Sequence, residues 1–255
     1  MLEPQGRFRL RIDWTLLLLL VAITGLGLLN LYSASYNVKN PMFTQQIYWI
    51  FIGFSAFLIT ATIDYRVYNK IAYAIYIIGI LTLILVLVTG LIKHGSRRWL
   101  IIGPMRLQPS ELFKIAIILA LGHYVDASPP KTEQGRSLQE LIAPSLLAGF
   151  PFLLIMIQPD LGTGLLVLLI FFSIMFLLRL RLRSLLTLIS SIIVLTPLIW
   201  TFVLQEYQKN RILVFLDPAS DPSGHGWHYR QSIFAIGSGQ WSGKGFLSGT
   251  QSQLS

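Results

Sequence analysis

Long unbroken runs of apolar residues alternate along this chain with short connectors that hold most of its bases, prolines and glycines. Each run approaches the roughly 20 residues an α-helix needs to cross about 30 Å of hydrocarbon. The pattern predicts seven helices, over Trp14–Ser33, Phe43–Thr62, Ile71–Ile92, Pro109–Val125, Leu141–Ile157, Leu161–Leu178 and Ser184–Leu204. Glu111, Lys114 and His123 shorten the apolar part of the fourth. The fifth contains Pro151, whose missing N–H predicts a tilt or kink.

Beyond Leu204 the pattern changes. Glycines are frequent there, Pro218 and Pro222 interrupt the chain, and aromatic residues interleave with bases. Tyr229, Ile233 and Ile236 recur at helical spacing, which predicts a short helix from Trp227 to Ile236 lying in the membrane interface. Trp227 and Trp241 would then sit at headgroup depth. The expected fold class is all-α: a polytopic transmembrane helical bundle over residues 1–204, followed by an extracytoplasmic Gly-rich segment over residues 205–255.

Composition supports this picture. Of 255 residues, 54% are hydrophobic and only 12% are charged, so lipid rather than water is the expected solvent for most of the chain. A net charge of +9 could suit nucleic acid. The bases instead lie in short loops between apolar spans, which fits membrane orientation and lipid headgroups, and no nucleic-acid partner is expected. The absence of cysteine excludes disulfides, thiolate metal ligands and cysteine nucleophiles. Ser33-Ala34-Ser35 could pass for a signal-peptidase site, but the preceding apolar run is longer than the roughly 7–15 residues of a cleavable signal. The first span is expected to be a retained anchor.

The basic loops set the expected orientation. Arg7, Arg9, Arg11, Arg66, Lys70, Lys131, Arg136, Arg179, Arg181 and Arg183 all fall on one side when the N-terminus is cytoplasmic. One loop on the opposite side breaks the rule: Lys93–Gln108 carries Lys93, Arg97, Arg98 and Arg106. It is either a tolerated exception or a pocket for phosphate or pyrophosphate, whose oxygens fit the fork of arginine.

Two helices entering from that face begin alike, with Gln108-Pro109-Ser110-Glu111 and Gln158-Pro159-Asp160. In both, the proline is expected in the first helical turn, with the carboxylate favoured there by the helix dipole. Capping alone would account for Glu111 and Asp160. Lys114, however, lies at i+3 from Glu111 on the same helix face, and such a pair contributes little to stability at a surface. The alternatives are self-neutralisation and a polar cavity facing the basic loop. Lys209, Arg211, Arg230 and Lys244 give the last segment a positive face. Asp217-Pro218 and Asp221-Pro222 read as turn initiators, with paired carboxylates as the alternative. His94, His123, His225 and His228 show no metal-binding spacing. The glycines from Gly237 to Gly245 do not complete a phosphate-loop pattern.

Several of these pieces, taken in chain order, resemble the SEDS family (shape, elongation, division and sporulation) of peptidoglycan polymerases. They are Gly95-Ser96-Arg97-Arg98-Trp99, Gln108-Pro109-Ser110-Glu111-Leu112-Phe113-Lys114, Gln158-Pro159-Asp160-Leu161-Gly162-Thr163 and Phe215-Leu216-Asp217-Pro218. Gln231-Ser232 with Ala235-Ile236-Gly237-Ser238-Gly239 matches as well. Gly243-Lys244-Gly245 and Gly249-Thr250-Gln251-Ser252-Gln253-Leu254 are more similar to the elongation branch, typified by RodA, than to the division branch, typified by FtsW.

The resemblance implies an inverting glycosyltransferase of the bacterial inner membrane, acting at the outer leaflet in cell elongation and rod shape. Lipid II, an undecaprenyl-pyrophosphate-linked disaccharide, would be polymerised into β-1,4 glycan. By the same resemblance Arg97, Arg98, Trp99, Gln108, Ser110, Lys114 and Lys244 would bind substrate. Glu111, Lys114 and Asp160 would support catalysis, with Glu111 and Asp160 the candidate ligands of a divalent cation, Mg or Mn. The family's essential aspartate is expected just beyond Ser255, so these 255 residues alone are expected to lack polymerase activity. The implied partners are a class B penicillin-binding protein transpeptidase and other membrane proteins of the elongation complex. A lipid II flippase or transporter, and a non-catalytic membrane scaffold, are the rival readings.

Overall fold

A computed structural model describes residues 13–36, 42–93, 96–102, 105–130, 135–178, 180–204, 206–217 and 225–249. The chain divides into two units, Met1–Asp64 with Gln205–Ser255, and Tyr65–Leu204.

In the first unit, α1 (Trp14–Ser35) and α2 (Met42–Thr62) have no buried residues. Asp13 caps α1, its Oδ1 accepting from the Leu16 N–H at 3.1 Å. The same unit holds α8 (Glu206–Leu216) and α9 (His225–Gly239). A helix is therefore present where Trp227–Ile236 predicts one, and it is slightly longer than the apolar pattern. Asp217 follows α8, whereas Pro218, Asp221 and Pro222 lie outside the described residues.

The second unit contains the packed core. It runs α3 (Tyr65–Thr89), β1 (Leu91–Lys93), β2 (Ser96–Ile102), β3 (Met105–Leu107), α4 (Pro109–Ala127), α5 (Leu138–Ile157), α6 (Leu161–Leu177) and α7 (Leu182–Leu198). A π-helical turn, Ile199–Val203, continues α7 just after Pro197, which has no N–H to donate within the helix. Helix stripes meet in the core: Tyr76, Ile80 and Leu83 of α3, Phe113, Ile117 and Leu121 of α4, Ala148 and Ile155 of α5, and Val167, Phe171 and Met175 of α6. Between lipid-solvated helices the driving force is close van der Waals packing rather than escape from water. Gly79 shows how close α3 and α4 come, since a Cβ there would lie 2.7 Å from Phe113 Cδ2. The Tyr76 hydroxyl also donates to the Leu147 carbonyl of α5 at 2.9 Å. α5 runs through Pro144 and Pro151 without a break, and both prolines are buried.

Two differences from the sequence prediction matter. α3 begins at Tyr65 rather than Ile71, which brings Arg66 and Lys70 into its first turns. The basic loop is an antiparallel three-stranded meander in the order β1-β2-β3. Ile92 pairs with Arg97, and Ile101 with Arg106. Its isoleucines and tryptophan favour extended backbone.

Among the described residues, five helices are long and apolar enough to span a bilayer: Trp14–Ser35, Met42–Thr62, Tyr65–Thr89, Leu138–Ile157 and Leu182–Phe202. Leu161–Leu177 is apolar but shorter. The protein is an all-α, multi-pass membrane protein.

Candidate functional site

The meander stands where three helix ends converge: the C-terminus of α3, the N-terminus of α4 and the turn between α5 and α6. At their meeting point Asp160 is 5% exposed. An ionised carboxylate in such a place needs a countercharge and hydrogen-bond donors, and both are supplied. Arg98 of β2 approaches with Nη1 3.5 Å from Asp160 Oδ1. Gln108 Nε2, at the N-cap of α4, donates to Asp160 Oδ2 at 2.9 Å, and Thr163 Oγ1 donates to the same oxygen at 2.8 Å. Gln108 Nε2 also lies 3.1 Å from the Oγ of buried Ser110.

Arg98 is committed further. Its Nε donates to the Gln158 carbonyl at 3.5 Å and its Nη2 to the Pro159 carbonyl. Gln158 is itself buried, with Nε2 donating to the Leu83 carbonyl of α3 at 3.0 Å. A chain of polar contacts thus ties β2, α3, α4 and the α5–α6 turn together. The sequence reading placed Arg98 on phosphate. In the structure three of its nitrogens face protein acceptors, which makes it a clamp on the turn.

Asp160 occupies the N-cap of α6 but makes no side-chain capping bond, so capping does not explain it. Pro159 precedes the N-cap and lies outside the helix, unlike Pro109, which sits in the first turn of α4 as expected. The two Gln-Pro starts therefore differ in geometry.

Glu111 lies in the first turn of α4, where the dipole favours it. Both of its oxygens accept from Lys114 Nζ, at 2.9 and 3.0 Å. The pair is open to solvent, with side-chain exposures of 24% for Lys114 and 53% for Glu111. Trp99 and Arg106 of the meander are exposed too. The side chain of Arg97 lies outside the described residues, as does His94. Lys244 belongs to the other unit, where it lines a separate cleft.

Glu111 and Asp160 do not fit a divalent-cation pair. Such an ion takes several oxygen ligands, whereas each of these carboxylates is already paired with a cation. Among the described residues no cluster of three or more histidines, cysteines, aspartates or glutamates could hold a metal ion. His123 instead meets Asn69, with Nδ1 2.7 Å from Oδ1.

Thr163 and Gln158 are the members of this network that residue-by-residue reading gave no role. A hydroxyl three residues after a helix-opening aspartate was the available signal for Thr163, because those two positions share a side of the first turn. Gln158 had no local signal, since its partner lies on another helix.

Residues 13–255 match the cell cycle protein family that comprises FtsW, RodA and SpoVE. The chain is 39% identical over 248 residues to the peptidoglycan glycosyltransferase MrdB of Escherichia coli K12, covering 96% of this chain and 65% of that protein. It is 33% identical over 234 residues to the probable peptidoglycan glycosyltransferase FtsW of Buchnera aphidicola, covering 91% of this chain and 60% of that protein. Among solved structures it is similar to a chain of a peptidoglycan synthase complex that coordinates polymerization and crosslinking. The TM-score is 0.75 at 33% identity, over 89% of this chain and 66% of that one. The Thermus thermophilus rod shape determining protein RodA gives a TM-score of 0.58 at 30% identity, over 71% of this chain and 59% of that one. The chain therefore spans somewhat less than two thirds of the length of these relatives, 65% of the first. It belongs to the FtsW/RodA/SpoVE family, the SEDS proteins, and lies close to RodA.

Proposed function

We propose that the protein polymerises lipid II into β-1,4 glycan strands during cell elongation, as a polymerase of the bacterial inner membrane with a cytoplasmic N-terminus. One observation carries this reading. The basic meander is locked by the Arg98–Asp160 clamp onto the end of the bundle where α4 presents Glu111 and Lys114. Glycosyl transfer needs positive charge held in place before the pyrophosphate leaves. The acceptor's 4-hydroxyl attacks the donor anomeric carbon from the face opposite the pyrophosphate, which inverts that centre and releases undecaprenyl pyrophosphate.

Each residue has a distinct part. Lys114 and the other arginines of the meander, Arg97 and Arg106, supply charge to the leaving diphosphate, while Trp99 offers an exposed ring beside it. Arg98 and Asp160 act through position, fixing the strand that carries the neighbouring bases. Gln108 joins the clamp to the start of α4, and Glu111 holds Lys114 Nζ on the exposed face. The names of the relatives support the chemistry. One structural neighbour works in a complex that joins polymerization to crosslinking, which supports a class B penicillin-binding protein as partner.

The test uses protein expressed from its complete reading frame, purified and incubated with lipid II, with and without the transpeptidase. Glycan polymer is expected. Lys114→Met should lower its yield on the order of a hundredfold, the typical loss of one charge-stabilising donor. Leaflet exchange of lipid II without polymer would establish a flippase instead, and neither activity would leave a scaffold.

A further inference from the structure

Within the first unit, α1, the end of α9 and the glycine-rich segment after it line a cleft of about 580 Å³. Its size falls among small-molecule sites, and the proposed polymerisation makes no use of it. α1 contributes Leu26, Leu29 and Ser33, which share one helix face. At 1.5 Å per residue, Ser33 lies about 10 Å along the axis from Leu26. The facing side presents Ser238, Lys244 and Phe246. Among the described residues of the lining, Lys244 is the one that carries charge.

Specific contacts hold the walls. The Leu247 N–H donates to Ser33 Oγ at 2.8 Å, and the Phe246 ring stacks on Tyr32 with centroids 6.2 Å apart. The apolar part nonetheless stays open, with Leu26 67%, Leu29 58% and Phe246 59% exposed. Nearby Trp241 is fully exposed, as suits a ring at headgroup depth.

An apolar slot that becomes polar along its length and contains a single cation matches a ligand with a hydrocarbon chain and one anionic head. We propose that this cleft binds one anionic glycerophospholipid, its acyl chain along Leu26 and Leu29 and its phosphate at Lys244. A free phosphate would leave the leucines uncovered. A zwitterionic lipid would bring its own cation to the lysine. This assignment gives Lys244 a lipid ligand of its own and does not depend on glycosyl transfer.

The chain in detergent is titrated with phosphatidylglycerol, and bound lipid is counted by native mass spectrometry. Phosphatidylcholine of the same chains, undecaprenyl phosphate and inorganic phosphate are run beside it. A single phosphatidylglycerol is expected to be retained in preference to all three. Lys244→Gln should weaken it about fivefold, the share of one lysine near an anionic surface. Leu29→Trp should displace it by filling the slot, and Arg183→Gln on α7 should change nothing. Equal retention of phosphatidylcholine, preference for undecaprenyl phosphate or inorganic phosphate, or affinity untouched by both cleft variants would each overturn the assignment. A photoactivatable phosphatidylglycerol on the unaltered chain provides a readout independent of variant folding. Its label should map to peptides within Leu26–Ala34 and Ala235–Gly249, and labelling confined to other peptides would overturn the proposal.

Discussion

Asp160 and Glu111 each follow a Gln-Pro pair, each stands at the start of a helix of the same unit, and each faces a cation. Their surroundings differ in kind. Asp160 is buried, and its cation comes from a strand far away in sequence, with two neutral donors completing the oxygen set. Glu111 is more than half exposed, and its partner lies one helical turn away. A buried pair exerts leverage because removing one member strands the other in a poor solvent. An exposed i,i+3 pair exerts little, because water replaces whichever charge is lost. The first pair is therefore expected to carry structure, and the second to be available for chemistry.

Asp160→Ala is the most severe way to break the comparison. It removes the countercharge of Arg98 and leaves Gln108 and Thr163 without their acceptor. The expected loss is on the order of 3 kcal/mol, at the low end for a broken buried pair because the Arg98 side chain keeps 22% exposure. Thermal unfolding in detergent, followed by tryptophan fluorescence, measures it. Asp160→Asn should retain about half, since an amide oxygen still accepts from Thr163 and Gln108. Equal stability of wild type and Asp160→Ala would show that the meander does not need its clamp.

Thr163→Val sharpens the comparison with a smaller change. The shape of the side chain is kept and one donor to Asp160 Oδ2 is lost, while Gln108 remains. The expected cost is about 1 kcal/mol, the usual net value of one hydrogen bond. A double-mutant cycle with Asp160→Asn should show that the two effects are not additive, because both act on one oxygen. Strict additivity would remove Thr163 from the network.

The same contrast explains what was legible in the sequence. The spans were readable because a lipid-facing helix is apolar on nearly every side, so length and hydropathy suffice. The first turns of α3 were hidden because Tyr65, Arg66, Asn69 and Lys70 look polar, although such side chains are at home near a helix end. The meander was hidden for a different reason. β1 and β3 have three residues each, too few to display a two-residue period, and the arginines within it read as loop. The local pair Glu111–Lys114 could be found by counting along a helix. The partnership of Asp160 with Arg98 could not, since nothing in either segment encodes a contact made by folding.

The smallest stability effect provides the sharpest functional test. Glu111→Gln keeps the size of the side chain and an oxygen that can accept from Lys114, and removes only the charge. With 53% of the Glu111 side chain exposed, the change in unfolding free energy should stay below about 0.5 kcal/mol. Glycan synthesis from lipid II should nevertheless fall on the order of tenfold, the worth of one charge-assisted hydrogen bond that fixes Lys114 Nζ. The charge-swapped pair, Glu111→Lys with Lys114→Glu, should match the stability of the single variant yet remain inactive, because the base would then sit one turn nearer the helix start. If glycan yield in Glu111→Gln merely followed its melting temperature, the exposed pair would be as structural as the buried one, and the division of labour between them would be lost.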